Sequence, residues 1–196
     1  MLSGMFDTVA AVLAVFLCCI AVKLTDDYLD KDMDRRAGRS NWATRLGPCS
    51  MVYAMIILCL AVTLNPQISA SLFIACYIIG MFNDLGTLLP SGMRGWQESL
   101  LVLLLGFLFI GWHLLLFSLL FIAAVQLFDD YIDMRTDRLC GQRNMACRFG
   151  SVECLTLCLL FLSVAFILDE ELFNPVVMGT VIFYSIQWFG ERRRSL

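Results

Sequence analysis

The chain alternates between long apolar runs and short clusters in which most of its charge collects. The apolar runs fall at about Phe6–Leu24, Ser50–Leu64, Ile68–Phe82, Leu100–Trp112, His113–Phe128, Cys154–Leu168 and Phe173–Phe189. Runs of this length and hydropathy predict membrane-spanning helices. Several are shorter than the roughly 20 residues of a straight span, which a bundle tolerates when helices continue past the surface or the bilayer thins. The expected fold class is therefore all-α: a polytopic bundle of about seven transmembrane helices forming one domain.

One stretch allows two readings. Leu100–Phe128 carries no charge over 29 residues, and a helix of that length would reach about 43 Å against a hydrocarbon core of about 30 Å. A tight hairpin at Gly111-Trp112-His113 divides it into two short helices. The basic residues separate these readings. With the hairpin, Lys23, Lys31, Arg35, Arg36, Arg39, Arg45, Arg94, Arg135, Arg138, Arg143, Arg148, Arg192, Arg193 and Arg194 all fall on one side. With one long helix they split evenly. The positive-inside rule prefers the hairpin and makes the basic side cytoplasmic, with the C-terminus there and the N-terminus opposite. The other side then carries only Asp7, Asp169, Glu170 and Glu171.

Composition narrows the class. Sixty per cent of the residues are hydrophobic and 16% are charged, at a mean hydropathy of +0.79. A soluble enzyme sits near half apolar and a quarter charged, and a disordered chain is poorer still in apolar residues, so both are excluded. A net charge of −3 lacks the basic excess of a nucleic-acid binder. Phe6–Leu24 has no basic segment before it and no small-residue cleavage site after it, so it reads as a retained helix rather than a signal peptide. The nine cysteines lie mostly in apolar spans and form no CxxC pair, which fits small buried hydrophobes.

The charged clusters contain an internal repeat. Residues 26–47 read DDYLDKDMDRRAGRSNWATRLG and residues 129–150 read DDYIDMRTDRLCGQRNMACRFG, with 11 of 22 positions identical at a constant offset of 103. An internal duplication often builds a pseudo-symmetric bundle, and the expected halves are about 5–82 and 100–190. Within each copy, Asp27, Asp30 and Asp34, or Asp130, Asp133 and Asp137, lie within about 60° of one another at 100° per residue, forming an acidic stripe. Gly38 and Gly141 are natural helix ends and place the stripes on the last turns of their helices. Like charges at this spacing repel, and carboxylates oppose the macrodipole at a helix C-terminus. A compensating cation is therefore expected. Mg²⁺ takes one or two carboxylates and completes its shell with water and phosphate oxygens, so facing stripes could hold ions around a diphosphate. Arg35, Arg39, Arg45, Arg138, Arg143 and Arg148 could neutralise the remaining phosphate charge. Tyr28 and Tyr131 could hydrogen-bond a phosphate oxygen or anchor the helix ends at the interface.

These residues resemble a known family. D27-x-x-D30-x-x-x-D34 and D130-x-x-D133-x-x-x-D137, each following a membrane helix, look like the two Asp-rich motifs of the UbiA superfamily of intramembrane prenyltransferases. The second motif and its tail are similar to the family's Asp-rich helix end followed by D-R-x-x-G-x-R and a terminal Gly. The resemblance implies a Mg²⁺-dependent transfer of an isoprenyl group from its diphosphate to a lipophilic or aromatic acceptor, with the six stripe aspartates as catalytic metal ligands. A terpene cyclase on the same scaffold, or a non-catalytic UbiA-like lipid-binding or assembly protein, are the alternatives. The chain departs from the family in having seven helices rather than nine, and Asp26 where Asn is usual.

Outside the repeat, Asn83-Asp84 and Arg94 read as an ordinary turn-rich connection containing Gly86, Pro90, Ser91 and Gly92. His113, the only histidine, reads as an interfacial residue of the Trp112-His113 turn.

Overall fold

The computed structural model describes residues 2–37, 41–140 and 144–192. These form ten α-helices: α1 (Leu2–Leu29), α2 (Lys31–Ala37), α3 (Trp42–Leu46), α4 (Ser50–Leu64), α5 (Pro66–Gly80), α6 (Gly95–Phe109), α7 (Trp112–Cys140), α8 (Met145–Phe149), α9 (Ser151–Leu168) and α10 (Glu170–Arg192), with 3₁₀ turns at Gly47–Cys49 and Met81–Asn83. Five stretches are long and apolar enough to cross a bilayer: Met5–Leu29, Trp42–Leu64, Trp112–Arg135, Ser151–Leu168 and Glu170–Gly190. The molecule is a helical membrane protein. Of the seven runs expected to span, α5 and α6 are 15 residues each and fall short of that length.

The long uncharged stretch is a hairpin. The Ile110 N–H closes α6 on the Gly106 carbonyl, Gly111 takes φ +95°, and α7 starts at Trp112. The left-handed backbone at Gly111 is open to glycine without the penalty a Cβ would bring. Asn65 makes the equivalent break between α4 and α5. Its N–H ends α4 on the Ala61 carbonyl, its Oδ1 accepts from the Ile68 N–H at 3.0 Å, and Pro66 opens α5, where a missing N–H costs nothing.

Two compact units arise: Met1–Ala70 with Glu171–Leu196, and Ser71–Glu170. In the first, α1 packs along α4. Its inner face is Ala11, Ala14, Val15, Cys18, Ala21, Leu24 and Asp27, mostly small residues that allow close helix approach. At Gly179 of α10 a Cβ would lie 2.7 Å from Val15 Cβ and 2.8 Å from the Val12 carbonyl oxygen, so a bare backbone is required there. In the second unit, α7 packs along α9. Phe117 and Phe121 stack with centroids 6.2 Å apart, and Ser118 Oγ donates to Ser71 Oγ at 2.9 Å. Cys154 and Cys158 join Ala124, Leu127 and Ala146 in one buried cluster.

The burial pattern repeats beyond the motif. Ala14, Val15, Cys18, Ala21, Leu24 and Asp27 are buried in α1; Phe117, Ser118, Phe121, Ala124, Leu127 and Asp130 are buried in α7, at the same offset of 103. In the following helices Ser50, Ala54 and Ala61 correspond to Cys154, Cys158 and Ala165 at an offset of 104.

Candidate functional site

Each copy of the repeat builds the same local structure inside its own unit. In the first, α1 ends at Leu29, the chain bends at Asp30, and α2 follows. The bend keeps helical hydrogen bonds, Asp30 N–H to Asp26 O and Asp34 N–H to Asp30 O, both 2.9 Å. In the second, α7 passes through the equivalent residues unbroken. The chain then returns through a short helix, α3 or α8, that docks against the helix end.

An asparagine makes that docking. Asn41 Nδ2 donates to the Asp27 carbonyl at 2.6 Å and to Asp34 Oδ2 at 2.7 Å, while its Oδ1 caps α3 by accepting from the Thr44 N–H. Asn144 Nδ2 donates to the Asp130 carbonyl at 2.7 Å and to Asp137 Oδ2 at 3.0 Å, and its Oδ1 caps α8 by accepting from the Cys147 N–H. The first aspartate of each stripe completes the tie. Asp27 Oδ2 accepts from the Trp42 N–H at 2.8 Å, and Asp130 Oδ2 from the Met145 N–H at 2.9 Å. A helix N-terminus has unpaired N–H groups, and a carboxylate and an amide oxygen satisfy them here in place of water. Ala43 and Ala146 are the buried residues of the short helices, and Gly47 and Gly150 turn the chain out at φ +66° and +111°.

The identities between the copies thus divide. Asp27/Asp130, Asp34/Asp137, Asn41/Asn144, Ala43/Ala146 and Gly47/Gly150 build the loop. Tyr28/Tyr131, Asp30/Asp133, Arg35/Arg138 and Arg45/Arg148 are exposed in both copies, and none of the loop ties described above uses them. The stripe is accordingly uneven: Asp27, Asp130 and Asp137 are buried, Asp34 is half-buried, and Asp30 and Asp133 are exposed. Arg39 and Arg143, and the expected helix ends Gly38 and Gly141, lie outside the described residues.

The copies also differ. Lys23 Nζ lies 3.0 Å from Asp27 Oδ1, one turn back on α1. Its counterpart at the same offset is Gln126, whose Nε2 donates to Asp130 Oδ1 at 3.4 Å. The Asp30 carboxyl titrates above the usual carboxylate range, because it has lost part of its water and faces Asp34, against the opposing pull of Lys23.

Neither Asn41 and Asn144 nor Lys23 and Gln126 stood out as site residues in the sequence. The asparagines were visible there as identities, and Lys23 as a lone basic residue within an apolar run. Among the described residues no three His, Cys, Asp or Glu side chains gather as a cation cage. Exposed carboxylates such as Asp30 and Asp133 nevertheless supply the hard oxygen donors that Mg²⁺ prefers, and that ion needs only one or two from protein.

The remaining candidates have structural partners. The Arg94 N–H donates to Gln97 Oε1 at 2.8 Å and caps α6. His113 Nε2 lies 3.2 Å from the Leu168 carbonyl oxygen and Nδ1 lies 3.8 Å from Asp169. No protein-family model matches the chain, and no curated protein or solved structure matches it.

Proposed function

We propose that the chain is a Mg²⁺-dependent membrane prenyltransferase that resembles the UbiA superfamily and acts on an isoprenyl diphosphate and a lipophilic or aromatic acceptor. The observation that carries this reading is the repeated exposed set of Tyr, Asp, Arg and Arg. The loop ties account for the buried identities, and neither backbone geometry nor core burial asks for the exposed ones. A diphosphate needs this chemistry: carboxylates for its counter-ion, arginines for its oxygens, and hydroxyl donors beside them.

In this reading Asp30 in its unit and Asp133 in the other would each offer carboxylate oxygens to a cation, and the remaining stripe aspartates would add negative charge within each copy. Mg²⁺, when bound, offsets diphosphate charge as that group departs. Arg35, Arg45, Arg138 and Arg148 donate to phosphate oxygens, and Tyr28 and Tyr131 add O–H donors. Asn41 and Asn144 fix the helix ends that carry these groups. The carbon–oxygen bond breaks with its electron pair leaving on the diphosphate. The allylic carbon bonds the acceptor, whose displaced proton is taken up by the released diphosphate. Apolar helix faces take the prenyl tail and keep water from the cation. The motifs and the C-terminus lie on the cytoplasmic side in this account, as the positive-inside rule requires.

The test is pyrophosphate release and product mass spectrometry with purified protein in nanodiscs, isoprenyl diphosphates and Mg²⁺. Release that needs both Mg²⁺ and an added acceptor supports the transferase. Release without acceptor assigns a cyclase. No release with any diphosphate removes the enzyme reading and leaves the assembly protein, which the use of Asp27, Asp34, Asp130 and Asp137 in loop ties favours.

A further inference from the structure

The segment between α5 and α6 was expected to be an ordinary connection, yet it folds on itself. The Asp84 N–H donates to the Met81 carbonyl, Thr87 N–H and Oγ1 to Asp84 O, and Leu89 N–H to Met93 O. Gly92 N–H donates to Leu89 O, Gly95 N–H to Thr87 O and Trp96 N–H to Leu85 O. Leu88 and Arg94 pair as an antiparallel bridge. A Cβ on Gly95 would lie 2.4 Å from the Asp84 carbonyl oxygen, so glycine is what lets the two ends of the loop close.

Its exposed surface carries large apolar side chains beside Asp84, Thr87, Ser91 and Arg94. Leu88 is 75% exposed, Phe82 57%, Trp96 49% and Leu85 36%. In water this would be an unfavourable display for so small a loop. The helices on either side indicate where it lies. α6 and α7 meet at the Ile110-Gly111 turn, so they start from one surface; α7 continues through the candidate span Trp112–Arg135. α6 stops after 15 residues, or about 22 Å, some 8 Å short of a hydrocarbon core about 30 Å thick. α5, joined to α4 through Asn65, is 15 residues long and runs on into a 3₁₀ turn at Met81–Asn83 before the loop begins. The loop therefore begins before the bilayer ends. Irregular backbone facing lipid is excluded from the hydrocarbon core, which puts this loop at the edge of that core, in the interface, where it also satisfies many of its own polar groups.

We propose that residues 84–94 form a membrane-inserted loop that sits at the boundary between lipid headgroups and acyl chains, with its own Leu85 and Leu88 and the flanking Phe82 and Trp96 against the acyl chains. Asp84 and Arg94 are its only charged residues, and both side chains are exposed and long or flexible enough to reach headgroups. The partner is lipid, continuous with the exposed apolar faces of α6.

The test uses the full chain in phosphatidylcholine nanodiscs, with the fluorescent residue dansylalanine introduced as Leu88→dansylalanine and, for the mid-helix lipid reference, Leu104→dansylalanine. Quenching by spin-labelled phosphatidylcholine is compared with quenching by aqueous iodide, each scaled to the Leu104 variant and to free dansylalanine. Both variants replace exposed leucines, so the fold is expected to survive. The result expected is lipid quenching at least about twofold stronger than iodide quenching for the Leu88 variant, as for a group seated 5–10 Å into the interface. Iodide quenching equal to or stronger than lipid quenching would place the loop in water, the bilayer thinning around α5 and α6 instead, and would overturn the proposal.

Discussion

At the end of α1 the buried carboxylate of Asp27 meets an ammonium; at the equivalent place on α7 the carboxylate of Asp130 meets an amide. The ties that close the two loops run in parallel, with an asparagine joining two aspartates, a backbone N–H on the first carboxylate, and a positive-φ glycine at the exit. The difference teaches which interactions the motif requires and which it can exchange. Closing the loop needs a donor that reaches a helix-end carbonyl and a carboxylate together, and both copies keep Asn for it. Supporting the outer oxygen of the first aspartate needs only some hydrogen-bond donor, and the copies use different ones.

Three substitution sets probe that comparison. Asn41→Ala or Asn144→Ala removes a helix cap and leaves a carboxylate, half-buried at Asp34 and buried at Asp137, and a helix-end carbonyl short of a donor. Each is expected to cost about 2–3 kcal/mol by denaturant unfolding in detergent micelles, with the two values close. A large gap between them would break the equivalence of the loops. Asp27→Asn leaves Lys23 without its anion in a part-buried place and is expected to cost about 2 kcal/mol, discounted for the exposure that Lys23 keeps. Asp130→Asn strands only an amide and should cost about 1 kcal/mol. The double variant Lys23→Met with Asp27→Asn should recover part of the first loss, because no unpaired charge remains; no recovery would show that the ion pair is not what separates the copies.

The smallest effect on stability is expected at the exposed aspartates. Asp30→Asn and Asp133→Asn should change stability by less than about 0.5 kcal/mol. Asp30 also gives a pH signature. Its carboxyl titrates high in the folded chain, so the stability it contributes is fully present below its unfolded pKa and is lost as pH rises through the folded value. Unfolding measured with a chelator from the ordinary carboxylate range upward should show this decline in the unmodified protein and a shallower one in Asp30→Asn. Identical slopes would remove the raised titration assigned to Asp30.

Much of the fold was legible in the sequence. Hydropathy located every long helix, and charge placement resolved the Leu100–Phe128 stretch as a hairpin, because the physics of a bilayer acts on single residues and runs. Helix periodicity put Asp27, Asp30 and Asp34 on one stripe. What it could not supply is the division of that stripe, since burial of Asp27 and exposure of Asp30 depend on where a segment 15 residues later returns. The asparagine ties are of the same kind: Asn41 and Asn144 were visible as identities, but an identity does not say what a side chain touches. The repeated burial along α1 and α7 was hidden because Ala14 and Phe117, or Cys18 and Phe121, share an environment without sharing a side chain. The self-closed loop at 84–94 was hidden for a related reason. Its Gly and Pro residues announce turns, and the closure rests on backbone pairing between residues several positions apart.

The central claim is that the exposed half of the repeat is there for chemistry. Its most direct test is Mg²⁺-dependent pyrophosphate release by Asp30→Asn and Asp133→Asn proteins whose unfolding has been shown to match the unmodified chain. Loss of turnover by about a hundredfold in each, with the fold intact, is the predicted result. Turnover equal to that of the unmodified protein in both variants would contradict the account.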